Sequence, residues 1–191
     1  MEPLSPMQAR DHIEMVDRIL AQSQQRLEAG GEYFAVWGIA SASVTVVMQL
    51  LSQGLLPNAA FLWLPIALGG CTAFSIVRGR SMRRCLRGVS VVQREFFKVL
   101  WITLGVAFIA DTAAIRLFPG MAAAAIWSVA ASIVLLYIGV HGNSRAQVGG
   151  AVVIASLVAA AFVGGTVVGY ILAAGMLVGY AGFGVSELLA R

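Results

Sequence analysis

The sequence predicts an all-α polytopic membrane helical bundle: six transmembrane helices in three hairpins, behind an N-terminal cytosolic amphipathic helix. Three observations predict it. The 191 residues are 59% hydrophobic and only 12% charged, whereas a soluble domain uses about 25% charged residues to cover its surface. Six apolar stretches follow one another, each near the ~20 residues that a helix needs to cross ~30 Å of hydrocarbon. Of the 13 Lys and Arg residues, all but Arg116 fall in alternate connecting segments, which the positive-inside bias assigns to the cytoplasm.

Residues 1–31 form the first element. Ser5, Pro6 and Gln8 read as a helix start, with Ser as N-cap, Pro at the first helical position and Gln as capping-box partner. Ala29-Gly30-Gly31 reads as its stop. Between them Ile13, Val16, Leu20 and Leu27 recur at helical spacing as an apolar seam, flanked by Met15 and Ile19. At 1.5 Å per residue the helix is about 36 Å long. Its polar face mixes Asp11, Glu14, Asp17 and Glu28 with Arg10, Arg18 and Arg26. A helix built to lie on anionic lipid is rich in Lys and Arg. The mixed face therefore favours a protein contact, with a partner, a second copy or the chain's own basic loop, over an in-plane membrane helix. The same 30 residues carry no short apolar core with a cleavage site, so no removable signal peptide is expected.

The membrane domain spans 32–191, with crossings expected at about 33–53, 58–77, 98–116, 121–140, 147–164 and 166–186. Pro57, Pro119 and the Gly164-Gly165 pair supply the turns at one side. Gly is well tolerated inside membrane helices, so 147–186 also admits a single crossing. Six crossings place both termini in the cytoplasm; five would move Arg191 outside. Tyr33, Trp37, Trp63 and Trp101 lie near segment ends, as an interfacial aromatic belt would place them, with Trp127 deeper. Gly165/Gly169 and Gly175/Gly179 are each four apart, a spacing that lets helix backbones approach closely.

The loop 78–97 concentrates Arg78, Arg80, Arg83, Arg84 and Arg87. Each basic residue near anionic headgroups is worth about 1 kcal/mol, so these five are candidate contacts for lipid headgroups or an acidic partner, besides fixing orientation. Leu86, Val89, Val92 and Phe96 recur at helical spacing, so part of the loop is expected to be helical and to run into the third crossing.

Asp111 is the one carboxylate well inside an apolar run. Charge in the hydrocarbon costs a few kcal/mol by insertion scales, so it calls for a partner. Arg116, about one and a half turns on, is the candidate for a buried ion pair; the alternative role for Asp111 is ion or proton coupling. The remaining embedded polar residues, Gln49, Thr72, Thr103, Thr112, Ser128, Ser132 and Ser156, are mostly types that bond their own helix backbone.

Catalytic and cofactor signatures are lacking. The sequence holds no HExxH, GxSxG or phosphate loop and no paired carboxylates. Cys71 and Cys85 have no ligand-spaced neighbours, so no metal or cofactor is expected. His141, Asn143, Ser144 and Arg145 read as a polar turn capping two helices. The basic residues flank membrane segments and lack interleaved aromatics, which excludes nucleic acid as a partner.

Ile13, Met15, Val16, Arg26, Leu27, Gly31, then Phe34-Ala35-Val36-Trp37-Gly38 and Gln49 resemble a pattern in small uncharacterised bacterial inner-membrane proteins. Those open with an amphipathic helix and begin their first membrane helix with Leu-Trp-Gly; here Val stands for Leu. The resemblance covers about a fifth of the chain and implies the architecture and a bacterial inner-membrane location; the group has no assigned activity, so it transfers no function and no site residues. The expected function is a non-enzymatic membrane component, surrounded by lipid, engaging a partner or its own copy through the N-terminal helix. The alternative is a small-solute or ion-coupled transporter or channel using Asp111.

Overall fold

Every regular element that the computed structural model describes is helical, over residues 14–16, 30–85, 91–117 and 122–190. Helix α1 is Gly31–Ser52; a 3-10 turn, Asn58–Leu62, leads into α2, Trp63–Cys85. Helix α3 is Val91–Leu117, α4 is Ala122–Val140 and α5 is Ser144–Val163. A last rod starts with a 3-10 turn, Gly165–Val167, and runs through α6, Val168–Gly175, a π-helical stretch, Met176–Ala181, and α7, Gly182–Leu189.

Five of these are long and apolar enough to cross a membrane: Gly31–Ser52, Asn58–Ser81, Ala122–Val140, Ser144–Val163 and Gly165–Leu189. The chain is therefore a multi-pass membrane protein. Helix α3 has 27 residues and carries Lys98, Asp111 and Arg116. The stretch 147–186 forms two helices, because Gly164 and Gly165 adopt φ of +62° and +66°, the left-handed region that glycine enters without a Cβ penalty. Asn143 starts α5 by accepting a bond from the Ala146 N–H at 3.2 Å, the N-cap role expected of asparagine.

Of the N-terminal seam only Val16 is described. It is helical and exposed, as are Glu14 and Met15; Ile13, Leu20 and Leu27 lie outside the described residues. In the basic segment, helix covers 78–85 and resumes at 91; Arg87 and the side chains of Arg83 and Arg84 lie outside the description.

Packing divides the molecule into a dense core and a loose periphery. Helices α1, α4, α5 and the last rod make the core, centred on Ala42, Val134, Leu135, Ile138, Val153, Ala173, Met176 and Phe183. Lipid tails are as apolar as these side chains, so within a bilayer close van der Waals contact must hold the helices together. Small residues make that contact possible. Helix α1 buries Gly31, Ala35, Gly38, Ala42, Thr45 and Gln49, spaced alternately by four and three, the seam of a left-handed helix pair. A Cβ at Gly38 would stand 2.5 Å from the backbone N of Ala181, and one at Gly179 would stand 2.5 Å from the Gly149 carbonyl.

The π stretch sets the register of this contact. Gly169 faces α1 at Gln49, and Ala181 faces it at Gly38. In an unbroken α-helix of 3.6 residues per turn Ala181 would point roughly a third of a turn away from the Gly169 face. The extra residue taken up by a π turn removes most of that offset. It also turns Tyr180 aside onto Phe34, ring centroids 5.2 Å apart.

Helices α2 and α3 are different. In the most apolar window of α2 only 6% of residues are buried, against 50% in the last rod. Helix α3 packs chiefly on α4 and α2 chiefly on α1. Replacing Gly38 by Ala should destabilise the protein by about 1–3 kcal/mol through overpacking, read by thermal or denaturant unfolding in detergent. Gly69→Ala in α2, where a Cβ meets nothing within 4 Å, should change stability by no more than about 1 kcal/mol.

Candidate functional site: polar contacts within the apolar helices

Polar groups in hydrocarbon must find partners within the protein. Their partners here fall into three groups. The first fastens the last rod to α1. The Gln49 side chain is buried and accepts the Gly169 N–H at 2.9 Å, one of the N-terminal amide groups that a helix leaves without an internal acceptor. One turn on, Gln53 donates to the Thr166 carbonyl at 2.7 Å and accepts from the Tyr170 hydroxyl at 3.2 Å. Two glutamines one turn apart thus secure the start of the rod.

The second group lies at the opposite end of the bundle and is ionic. Arg78 on α2 meets Glu32 in the first turn of α1, with contacts of 2.6 and 2.8 Å. Arg145 lies 3.7 Å from Glu187, a carboxylate only 6% exposed, and donates to the Ser186 carbonyl at 3.2 Å. Arg78, a candidate lipid-headgroup contact on sequence grounds, is thus engaged inside the chain. Pairing across 46 positions leaves no mark in local sequence. Arg80 shares this end through its place near the foot of α2.

The third group fastens the periphery, and its donors are tryptophans. The Trp37 indole on α1 donates to Ser75 of α2 at 3.0 Å, and the Trp63 indole on α2 donates back to Ser43 of α1 at 3.2 Å. The Trp127 indole on α4 donates to Asp111 Oδ2 on α3 at 3.2 Å. Three residues that position along the chain assigns to an aromatic belt or its inner margin are therefore inter-helix donors. Trp101, 70% exposed, keeps a place on the outer surface. Periodicity reports which face a residue occupies and not what lies opposite, so these pairings were hidden in the sequence.

Asp111 has an incomplete shell. Its Oδ1 is buried and has no hydrogen-bond partner among the described residues. The neighbouring Thr112 hydroxyl donates to the Phe108 carbonyl at 2.8 Å, so it does not serve the carboxyl group. The side chain of Arg116, the expected ionic partner, lies outside the described residues. Of the other embedded polar residues Thr72, Thr112, Ser128, Ser132 and Ser156 bond carbonyls three or four residues back in their own helices, as expected. Gln49 departs from that pattern.

The turn at His141 is structural in geometry. The His141 ring bonds the Tyr137 carbonyl at 2.7 Å and stacks on the Tyr137 ring at 4.4 Å. Among the described residues no group of three His, Cys, Asp or Glu side chains is placed to hold a metal ion. An apolar cleft of about 310 Å³ between α4, α5 and the last rod is lined by Ala, Leu and Val, with no group able to act on a substrate.

Gln49→Leu should strand the Gly169 N–H and cost about 1–3 kcal/mol, with faster amide exchange at Gly169. A double-mutant cycle of Trp127→Phe and Asp111→Asn should give a coupling of about 0.6–1.7 kcal/mol, the range for hydrogen bonds between membrane helices, measured by unfolding in detergent.

Comparison with protein-family models, with curated proteins and with solved structures returns no match, so a functional reading must rest on this geometry.

Proposed function

We propose that the protein is a non-enzymatic component of a membrane assembly, in which the core holds α2 out as a docking surface for a transmembrane helix of another polypeptide. The near absence of buried residues along α2 carries this reading. One side of α2 rests on α1 through the Trp37–Ser75, Trp63–Ser43 and Arg78–Glu32 contacts. Much of the rest is open, including Ile66, Ile76 and Val77, as are Phe61 and Leu62 in the 3-10 turn before it. Gly69 and Gly70, with open space where a Cβ would stand, let a second helix backbone approach closely.

On this reading α3 completes six crossings, in a bacterial inner membrane with both termini cytoplasmic. The alternation of helices then puts the Arg78 and Arg145 end in the cytoplasm, as the positive-inside bias requires. The N-terminal helix, with its Ile13, Val16, Leu20 and Leu27 seam, would lie beside that end and offer a second contact to the same assembly. Use of Asp111 for coupled transport has less support. Asp111 sits on α3 at the edge of the bundle, and most of the embedded hydroxyls bond their own helices.

A photo-crosslinking side chain at Ile66, compared with one at Val140 near the basic end of α4 (80% exposed), tests the proposal in native membranes. The expected result is a discrete protein adduct from Ile66 and lipid adducts from Val140. An adduct of two copies from purified, reconstituted protein would identify the partner as the chain itself. Lipid adducts alone from Ile66 would overturn the proposal.

A further inference from the structure

Beyond that reading, and away from α2, we infer that the apolar cleft between α4, α5 and the last rod is a binding site for one acyl chain of a membrane phospholipid. Its volume is about 310 Å³, and Ala125, Leu157, Ala160, Val168 and Leu172 are among the residues that line it. The cleft begins where close packing stops. Toward the Arg145 end Gly139 presses on Gln147, Gly150 on Leu136, Gly179 on Gly149 and Gly175 on Ser156. Past Ser156, α5 has no further glycine before the Gly164–Gly165 turn, and α4 has none between Ala122 and Ile138. Alanine, valine and leucine meet there instead, and a space remains between the three helices.

Three properties select the occupant. The first is polarity. An ordered water needs about two to four polar partners, and the Ala, Leu and Val side chains of the lining supply none. The second is size. An apolar cavity of about 150 Å³ holds one benzene ring, so a space twice as large suits a run of methylenes. It is far too small for a helix about 10 Å across. The third is position. The cleft is continuous with surface that these membrane-spanning helices turn toward lipid: Ala161 at its rim is exposed, and the next residue, Phe162, is 87% exposed. Its floor is closed, with Ala160 at 4% and Leu172 at 1% exposure.

Leu157 and Leu172 each lie seven positions from the Gly164–Gly165 turn, about 10 Å along the helix axis. The cleft therefore occupies the third of a ~30 Å hydrocarbon core that is nearest the turn. A chain descending from a headgroup at that level presents the methylenes nearest its glycerol, not its methyl end. Enclosed by three helices, it meets protein on several sides, whereas a chain on the open surface meets it on one. Dispersion contacts add atom by atom, so the enclosed chain stays when surface lipid is washed away.

The full chain, reconstituted with a phosphatidylethanolamine carrying a diazirine near the carboxyl end of one acyl chain, tests this. Light expels dinitrogen from the diazirine, the carbene inserts into a neighbouring C–H bond, and peptide mass spectrometry locates the adduct. Samples are irradiated in vesicles and again after washing in detergent. In vesicles Leu157, Val168 and Phe162 should all carry lipid; after washing, Leu157 and Val168 should still be labelled and Phe162 should not. Ala125→Phe, which puts a ring in the cleft, should abolish labelling of Leu157 and Val168 and spare Phe162 in vesicles. Should the ring disturb folding, Ala122→Leu at the same lining is a smaller filler and should act in the same direction. Loss of all three adducts on washing would reveal surface lipid only and overturn the site, as would labelling of Leu157 and Val168 that survives both substitutions. Label at Phe162 alone in vesicles would mean that a second copy or another polypeptide fills the cleft, and would overturn the assignment of an acyl chain.

Discussion

Close backbone contact between α1 and the last rod is the constraint on which the rest of the structure depends. Lipid offers no advantage to burying one apolar side chain against another, so helices stay together only where they fit more closely than lipid fits them. Gly38 against Ala181, Gly184 against Ala35 and Gly31, and Gly179 against Gly149 supply that fit. None could take a side chain without moving a backbone. The π stretch follows from the same demand. Without it the small residues of α6 and α7 would lie on different faces, and Tyr180 would stand nearer the seam than Ala181. A π turn gives up regular hydrogen bonding; here it keeps one small-residue face aligned over the length of the rod.

Once the core is fixed by shape, the periphery is fixed by polarity. Among the described residues of α2 and α3 only Cys71 and Ala107 are buried, so van der Waals contact alone holds these helices weakly. Among the described residues, indole donors and the Arg78–Glu32 ion pair add the rest. Each inter-helix hydrogen bond is worth on the order of 1 kcal/mol in a membrane, enough to set position and too little to lock it. The Trp37–Ser75 and Trp63–Ser43 pair is reciprocal, each helix giving one donor and one acceptor, which fixes rotation and height together. Helix α3 has only the Trp127 bond of this kind among the described residues.

Much of the architecture was legible in the sequence because its determinants are local. Apolar run length gave the helices, and Gly164 and Gly165 gave the turn that divides 147–186. The four-residue glycine spacing pointed to close packing, and Gly175 and Gly179 bear it out, pressed on Ser156 and on Gly149 with Val153. Gly165 instead serves the turn. Other features depend on what lies across a gap. Gln49 reads as an embedded amide, yet its partner is 120 positions away. The π stretch has no composition to betray it, since its residues, Met176 to Ala181, would fit an ordinary α-turn. Arg78 belonged to a basic run by sequence and to Glu32 by geometry.

The candidate site was legible in half. A carboxylate among alanines stands out in any membrane segment, and Asp111 was found that way. Its sequence neighbour of opposite charge, Arg116, was the natural partner to nominate, because helical spacing makes nearby residues visible and distant ones not. The Trp127 indole that reaches it lies on the next helix, and the Arg116 side chain lies outside the described residues. That bond ties α3 to α4 through one carboxyl oxygen, while the other is buried without a hydrogen-bond partner among the described residues. Placement at the loose edge suits that. In the tight core an unsatisfied oxygen would strain close packing that has no room to relax. On α3, which rests chiefly on one neighbour, such an oxygen is accommodated without disturbing the packing of the core.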